Sequence, residues 1–460
     1  MEDKVNKKNN TCVGAVLDLW SCRNKRYAHQ TARVYAARSA PELREGKNST
    51  EFFRLIKIIG SLFFCSITTG VCALDLNYPL PNWVDHSREQ LNKSRPALPP
   101  RAAPPADFRI PAEYEPVAAV VISWAGYTNM LASIAKAVAG PGKAQVWAVS
   151  APASLPGVPA ASYSVINAPV DTVWVRDYGP FGISAKQGKV GIVDAIYRHY
   201  QYRQDDDALP VNLGAAKKIE VFGMKIILDG GNVMVDSYGN LFMTKRTYVW
   251  NSGMSQEQVD AALKANFKVK NIYTFDYSGY PGQPADGTGH IDMFLKLLND
   301  HTVLVSVAAT EPFKSNSEKA IAFFKGRTAP DGQPYKIITV KGWSESGAWY
   351  TYTNSLIVNK VAIIPSYSGH PQEEASAKAA YETGISGVTV VPVLSDSSIT
   401  AGGSIHCTTQ TIPAFTKGAI PAGGGSMTAV QKFQDMTLTW TPDVPEKTDS
   451  VSLNQLISSK

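Results

Sequence analysis

The sequence offers little cysteine for structural use. Of its five cysteines, Cys12, Cys22, Cys65 and Cys72 fall in the first 73 positions, and Cys407 stands alone in the remaining chain. A single thiol excludes an internal disulfide framework there and leaves either a small buried hydrophobe or a reactive sulfur. Cys-x-x-Cys and His-x-x-x-His spacings are absent, so a metal centre has poor support. A phosphate-binding glycine loop is missing too, because Leu228-Asp229-Gly230-Gly231-Asn232 lacks both the spacing and the following lysine. An excess of one charge is lacking over most of the chain. Residues 1–73 hold twelve of the 45 basic and six of the 39 acidic residues, which leaves 33 of each from Leu74 onward. Total charge therefore gives no hint of a polyanion-binding surface. At 460 residues and 44% hydrophobic, the chain is long enough for a large core.

The one notable apolar run, Ile58 to Ala73, is too short to cross a bilayer comfortably, for which about 20 apolar residues are needed. Arg54 and Lys57 precede it and Val71-Cys72-Ala73 ends it, so residues 54–73 read as a secretory signal cleaved after Ala73. The protein is expected to be exported, without stable membrane insertion. If the segment is not functional, it is cytoplasmic. Residues 1–50 are basic and without clear periodicity, an odd prelude to such a signal, and are left out of the fold reasoning.

Residues 74–107 carry seven prolines and read as an extended linker or a strap lying on the domain. Short apolar strands then recur at Ala118–Trp124, Ala144–Val149, Thr172–Val175, Val190–Ile196, Lys225–Leu228, Asn240–Met243, Thr302–Val307, Ser355–Ile364 and Gly387–Val393. Helical stretches fall at Met130–Ala139, Ser255–Phe267, Ser317–Lys325 and Glu373–Glu382, and Ser255 with Gln258 forms a capping box. Strands alternating with helices indicate an α/β class. Residues 414–460 read as an appended tail.

Three segments hold groups that can do chemistry. Cys407 follows Gly402-Gly403-Ser404-Ile405-His406. In an extended segment His406 points to the face opposite the thiol, which makes it structural rather than the base. His290 and Asp292, two apart in Gly289-His290-Ile291-Asp292, share one face if that segment is extended. Asp177 ends the apolar run Val173-Trp174-Val175 just before a Gly-Pro turn. One thiol, one imidazole and two carboxylates suit a guanidinium. The carboxylates grip its N–H forks, the thiolate attacks the central carbon, and the histidine shuttles the proton. Trp174 is placed to cover the alkyl chain or stack on the cation.

These segments, Trp174-Val175-Arg176-Asp177-Tyr178-Gly179-Pro180, Gly289-His290-Ile291-Asp292 and Gly402-Gly403-Ser404-Ile405-His406-Cys407, resemble the motifs of the agmatine deiminase and bacterial peptidylarginine deiminase family. Phe108-Arg109-Ile110-Pro111-Ala112-Glu113-Tyr114-Glu115-Pro116 resembles its domain opening, so the resemblance runs over about 108–413 in the family's order. It implies an α/β propeller of five pseudo-symmetric ββαβ units and no cofactor. It also implies Cys407 as nucleophile, His290 as acid/base and Asp177 with Asp292 as the guanidinium pair. Asn354 matches a family asparagine near the cysteine, and Asp229 sits where some members carry an acid before Gly-Gly. Arg198 and Arg203 lie near the place where the peptide-specific branch carries two arginines for a substrate carboxylate, with His199 and Gln201 at the matching register. Asp205, Asp206 and Asp207 suit either a cationic substrate tail or a solvated loop. The partner is thus a small-molecule or peptide guanidino substrate, with no nucleic acid; oligomeric state leaves no mark in the sequence. Two rivals remain: a cysteine amidohydrolase using Cys407, His290 and Asn354, and an exported non-catalytic module that binds cationic peptides.

Overall fold

The computed structural model describes residues 79–85, 101–185, 188–197, 203–280 and 283–414, with the backbone of two further paired strands, Gly425–Val430 and Thr437–Pro442. The upstream extension and signal-like segment of residues 1–73 lie outside them, as does Arg198.

Strands rich in Val, Ile and Leu on both faces need cover on both sides, and a parallel neighbour needs a long crossover. The chain meets both needs with one motif used five times. Phe181–Ala185 and Val190–Ile196 pair antiparallel, helix Gln204–Lys217 crosses over, and Glu220–Ile227 returns parallel. The second unit has Met234–Val235, Asn240–Thr244, helix Gln256–Phe267 and Asn271–Phe275. Leu295–Asn299, Thr302–Val307, helix Phe313–Phe324 and Lys336–Lys341 make the third. The fourth consists of Leu356–Val358, Val361–Ser366, helix Pro371–Gly384 and Thr389–Leu394. Both ends of the domain combine in the fifth. Late strand Gln410–Pro413 pairs antiparallel with early strand Val117–Ser123, helix Thr128–Ala139 follows, and Gln145–Val149 lies parallel. Each of these five ββαβ units has its own sheet, and late strand Gln410–Pro413 joins early strand Val117–Ser123.

The helices cover the sheets through one apolar stripe each. Thr128–Ala139 buries Met130, Leu131, Ile134, Ala135 and Val138, at the three- and four-residue spacing of a single helix face. The capping box expected at Ser255 is formed, with both its hydrogen bonds.

Three expectations fail locally. Thr172–Val175 is not a strand; it leads into the one-turn helix Val175–Tyr178. Buried Asp206 prevents an extended conformation by accepting from Asp171 N, Thr172 N and Thr172 Oγ1 at 2.8, 3.1 and 2.6 Å. The three aspartates therefore belong to neither a substrate tail nor a solvated loop. They open helix Gln204–Lys217, where acids favour the N-terminal dipole. Ser355–Ile364 is a hairpin, not one strand, turning at Asn359, whose φ is 53°. Among the described residues no helix is long and apolar enough to cross a membrane.

Candidate active site

Each unit contributes to one place, and from the same position: the segment just ahead of its leading strand. Asp177 precedes Phe181–Ala185, Asp229 and Gly231 precede Met234–Val235, and His290 with Asp292 precedes Leu295–Asn299. Asn354 precedes Leu356–Val358, and Cys407 precedes Gln410–Pro413. Gly231 shows how closely they meet. A Cβ on it would lie 2.5 Å from His290 Nδ1, 2.8 Å from Asp177 Oδ1 and 3.1 Å from Asp292 Oδ2, so only glycine fits. Cys407 Sγ is 3.8 Å from Asp292 Oδ2 and accepts from Asn354 Nδ2 at 3.1 Å. The side chains of Cys407, His290, Asp177, Asp229 and Asp292 are all exposed by 1% or less.

Local backbone chemistry aims these groups. The Gly231 amide donates to Asp177 Oδ1 at 2.9 Å. His290 is extended, but Ile291–Met293 is a 3₁₀ turn, not the strand expected. That turn is anchored by Thr244 Oγ1 donating to Gly289 O and by Asn232 Oδ1 accepting from Ile291 N. The imidazole and the carboxylate still converge, as their shared approach to Gly231 shows. Cys407 likewise lies in a turn, with Thr408 N bonded to Ser404 O. Asn354 braces that turn: its Oδ1 accepts from Ser404 N at 2.9 Å and Cys407 N at 3.4 Å, while its Nδ2 also reaches Asp292 Oδ2 at 3.1 Å.

Burial and charge set the protonation states. Burial opposes a charge on His290, but Asp177, Asp229 and Asp292 outweigh it and raise its pKa to about 9. Asp229 is the hydrogen-bonded partner, its Oδ2 lying 3.2 Å from His290 Nε2. Burial lifts Asp177 to about 7, opposed by His290 and assisted by Asp229 and Asp292. The Cys407 thiol is pushed well above its ordinary range by burial, then by Asp292 and Asp177. The resting site thus holds an imidazolium and a neutral thiol.

Such a set, a buried thiol beside an imidazolium between carboxylates, fits the cation chemistry expected of the motifs. The chain belongs to the Porphyromonas-type peptidyl-arginine deiminase family. The match covers residues 109–413. A putative agmatine deiminase of Streptomyces coelicolor is 24% identical over 66% of this chain and 99% of its own length. Among solved structures, the agmatine deiminase of Enterococcus faecalis covers 69% of this chain and all of itself, with a TM-score of 0.59 at 19% identity. A putative arginine deiminase from Porphyromonas gingivalis gives the same score at 20% identity, covering 66% of this chain and 98% of that one. These structures share the fold.

Two substrate-side expectations for this deiminase-family chain resolve differently. Trp174 is fully buried with its indole against Gly403, beside Cys407 Sγ. Arg203 is buried and holds main chain, its Nη2 donating to the carbonyls of Pro81 and Trp83 at 2.8 and 2.9 Å. Those bonds commit the guanidinium to residues 79–85 rather than to a substrate carboxylate.

The motifs also concealed a network. His406 does not face away from the site: Nδ1 lies 2.6 Å from Asp292 Oδ2 and Nε2 lies 2.7 Å from Glu113 Oε2. The turn at Cys407 is the reason, since the extended alternation assumed for His406 does not apply there. Glu113 also binds Lys296 Nζ and, at 3.2 Å, Arg176 Nη2. Burial opposes its ionisation, yet Lys296, His406 and Arg176 hold its carboxyl well below the usual range. The only sequence signal for Glu113 is an acid inside the domain-opening motif; its partners are 183 and 293 residues away.

Proposed function

We propose that this protein hydrolyses a guanidino group to a ureido group and ammonia through a covalent intermediate on Cys407. The observation that carries the reading is a pair of oxygens. Asp177 Oδ2 and Asp292 Oδ1 are buried and take no hydrogen bond from any described residue, beside the thiol and the imidazolium. Buried carboxylate oxygens call for donors, and a planar cation supplies N–H groups in the matching fork geometry.

The bound cation offsets the charge of both carboxylates, so Cys407 releases its proton to water and stands as the thiolate. Sγ then bonds to the guanidinium carbon. His290 gives its proton to the departing nitrogen, the C–N bond breaks, and ammonia leaves an S-alkylated isothiourea. The neutral imidazole then takes a proton from water, the hydroxide adds to the same carbon, and the C–S bond breaks to give the ureido product and free thiolate.

An amidase would orient its histidine with the asparagine. Here His290 contacts Asp229 and Asp177, while Asn354 contacts Asp292, Cys407 and Ser404. Ammonia and ureido product measured across agmatine, free arginine and short arginine peptides test the reading. Turnover of at least one is expected, and a folded protein that turns over none rejects it. Export with cleavage after Ala73 is part of the same proposal, supported by the apolar run at Ile58 to Ala73. Mass spectrometry of the purified protein's N-terminus should then find Leu74 first.

A further inference from the structure

The burial of every reacting group raises the question of what covers them. Part of the cover is the proline-rich segment ahead of the domain. Residues 79–85 run as a strap with main chain pinned at three points. Trp174 Nε1 donates to Leu80 O at 2.9 Å, Asn82 N donates to Ala401 O at 2.7 Å, and Arg203 holds the carbonyls of Pro81 and Trp83. The first pin is close to the chemistry. The indole that binds Leu80 abuts Gly403, and so does Cys407 Sγ.

Trp83 sits across the two segments that matter. A Cβ on Gly287 would lie 3.0 Å from its ring, and one on Gly402 would lie 2.9 Å from it. Gly287 is three residues before His290, and Gly402 is five before Cys407. The ring therefore bridges the loop bearing the imidazole and the turn bearing the thiol. It is also 39% exposed, one of few large hydrophobic side chains so open among the described residues, as a residue at a rim is.

We infer that this strap, and Trp83 above all, determines which guanidines reach Cys407: small guanidines on a slim unbranched tail pass, and arginines inside a polypeptide do not. An agmatine-like tail trails behind the guanidinium as a single methylene chain. An internal arginine brings main chain on both sides, and that main chain meets the Trp83 ring and the strap held by Arg203. Arg203 thereby acts on specificity through the strap, as a positioning residue. The substrate half of the inference rests on the deiminase reading; the shielding of the thiol does not.

Trp83→Ala is the decisive variant, because the side chain is partly exposed and belongs to none of the buried hydrophobic clusters. Arg203→Lys, which keeps the charge but not the two-carbonyl grip, is the companion. Two quantities are read on each folded protein. One is the rate of Cys407 alkylation by iodoacetamide, followed by peptide mass spectrometry. The other is kcat/KM for agmatine against a blocked pentapeptide with a central arginine. In Trp83→Ala, alkylation is expected to rise by about tenfold and the peptide-to-agmatine ratio by a similar factor, because the ring no longer bars the way to the thiol. Arg203→Lys should shift both in the same direction by less. Alkylation within twofold of wild type, or an unchanged ratio, overturns the inference. Faster alkylation with no turnover of either guanidine leaves the shielding role standing and rejects the deiminase reading instead.

Discussion

Asp177 and His290 are both raised, to about 7 and about 9, for reasons that one substitution can expose. Asp177, raised to about 7 chiefly by burial, must be ionised to hold a cation, so kcat/KM should climb as pH rises through about 7. His290 must be protonated to release ammonia. Its folded-state value of about 9 keeps it charged until pH rises past that point, where activity should fall. Asp229 raises both groups, so Asp229→Asn should move both limbs of the profile toward acid. A profile shifted on neither limb would detach Asp229 from the site. Asp177→Asn removes half of the cation's counter-charge and should lower kcat/KM by about a hundred- to a thousandfold, as breaking a buried charge pair does. An effect under tenfold would favour an amidase. Behind the site, Glu113→Gln removes the negative charge that holds His406, and through it Asp292. With no contact to substrate, it should act mainly on kcat, by up to about a hundredfold, the known cost of a small misplacement. A change confined to KM would contradict that role.

Among the elements, what was readable depended on whether the cause was local. The capping box at Ser255 lies in four consecutive residues, and it is present as expected. Ser255→Ala should cost about 1 kcal/mol, read as a lower thermal midpoint with unchanged kcat at 25 °C. Strands Val190–Ile196 and Thr302–Val307 were legible with their bounds because short segments rich in Val, Ile and Leu have few other uses. Helix Gln204–Lys217 was not, since Pro210 sits inside it and three aspartates open it in the manner of a loop. The loop before Asp177 read as a strand because its residues are buried and apolar, whereas the Asp206 side chain that bends it comes from 34 residues away. Short motifs singled out Cys407, His290, Asp177 and Asp292, which the structure brings together. Glu113, Lys296 and the bridging role of His406 were hidden, because each depends on a partner in another unit.

Over the whole molecule, the Glu113–Lys296–Arg176 cluster ties the opening segment of the domain to two units and to the site. Lys296 is 2% exposed and donates to Glu113 and to Ser355 O. Lys296→Met leaves a buried carboxylate short of a partner and should destabilise the fold by about 3–5 kcal/mol, read from the denaturant midpoint. Little change would mean that Arg176 and His406 suffice.

The contribution of every unit to one site also fixes how the polypeptide can be divided. A cut at exposed Gly326, where a side chain would meet nothing within 4 Å, sends Asp177, Asp292 and the imidazole into one fragment and the sulfur with its asparagine into the other. Neither piece alone can react with a haloacetamidine in the manner of the intact enzyme. Mixing the two should therefore restore labelling only when strand Gln410–Pro413 finds Val117–Ser123 again, which makes the reaction a reporter of fragment complementation.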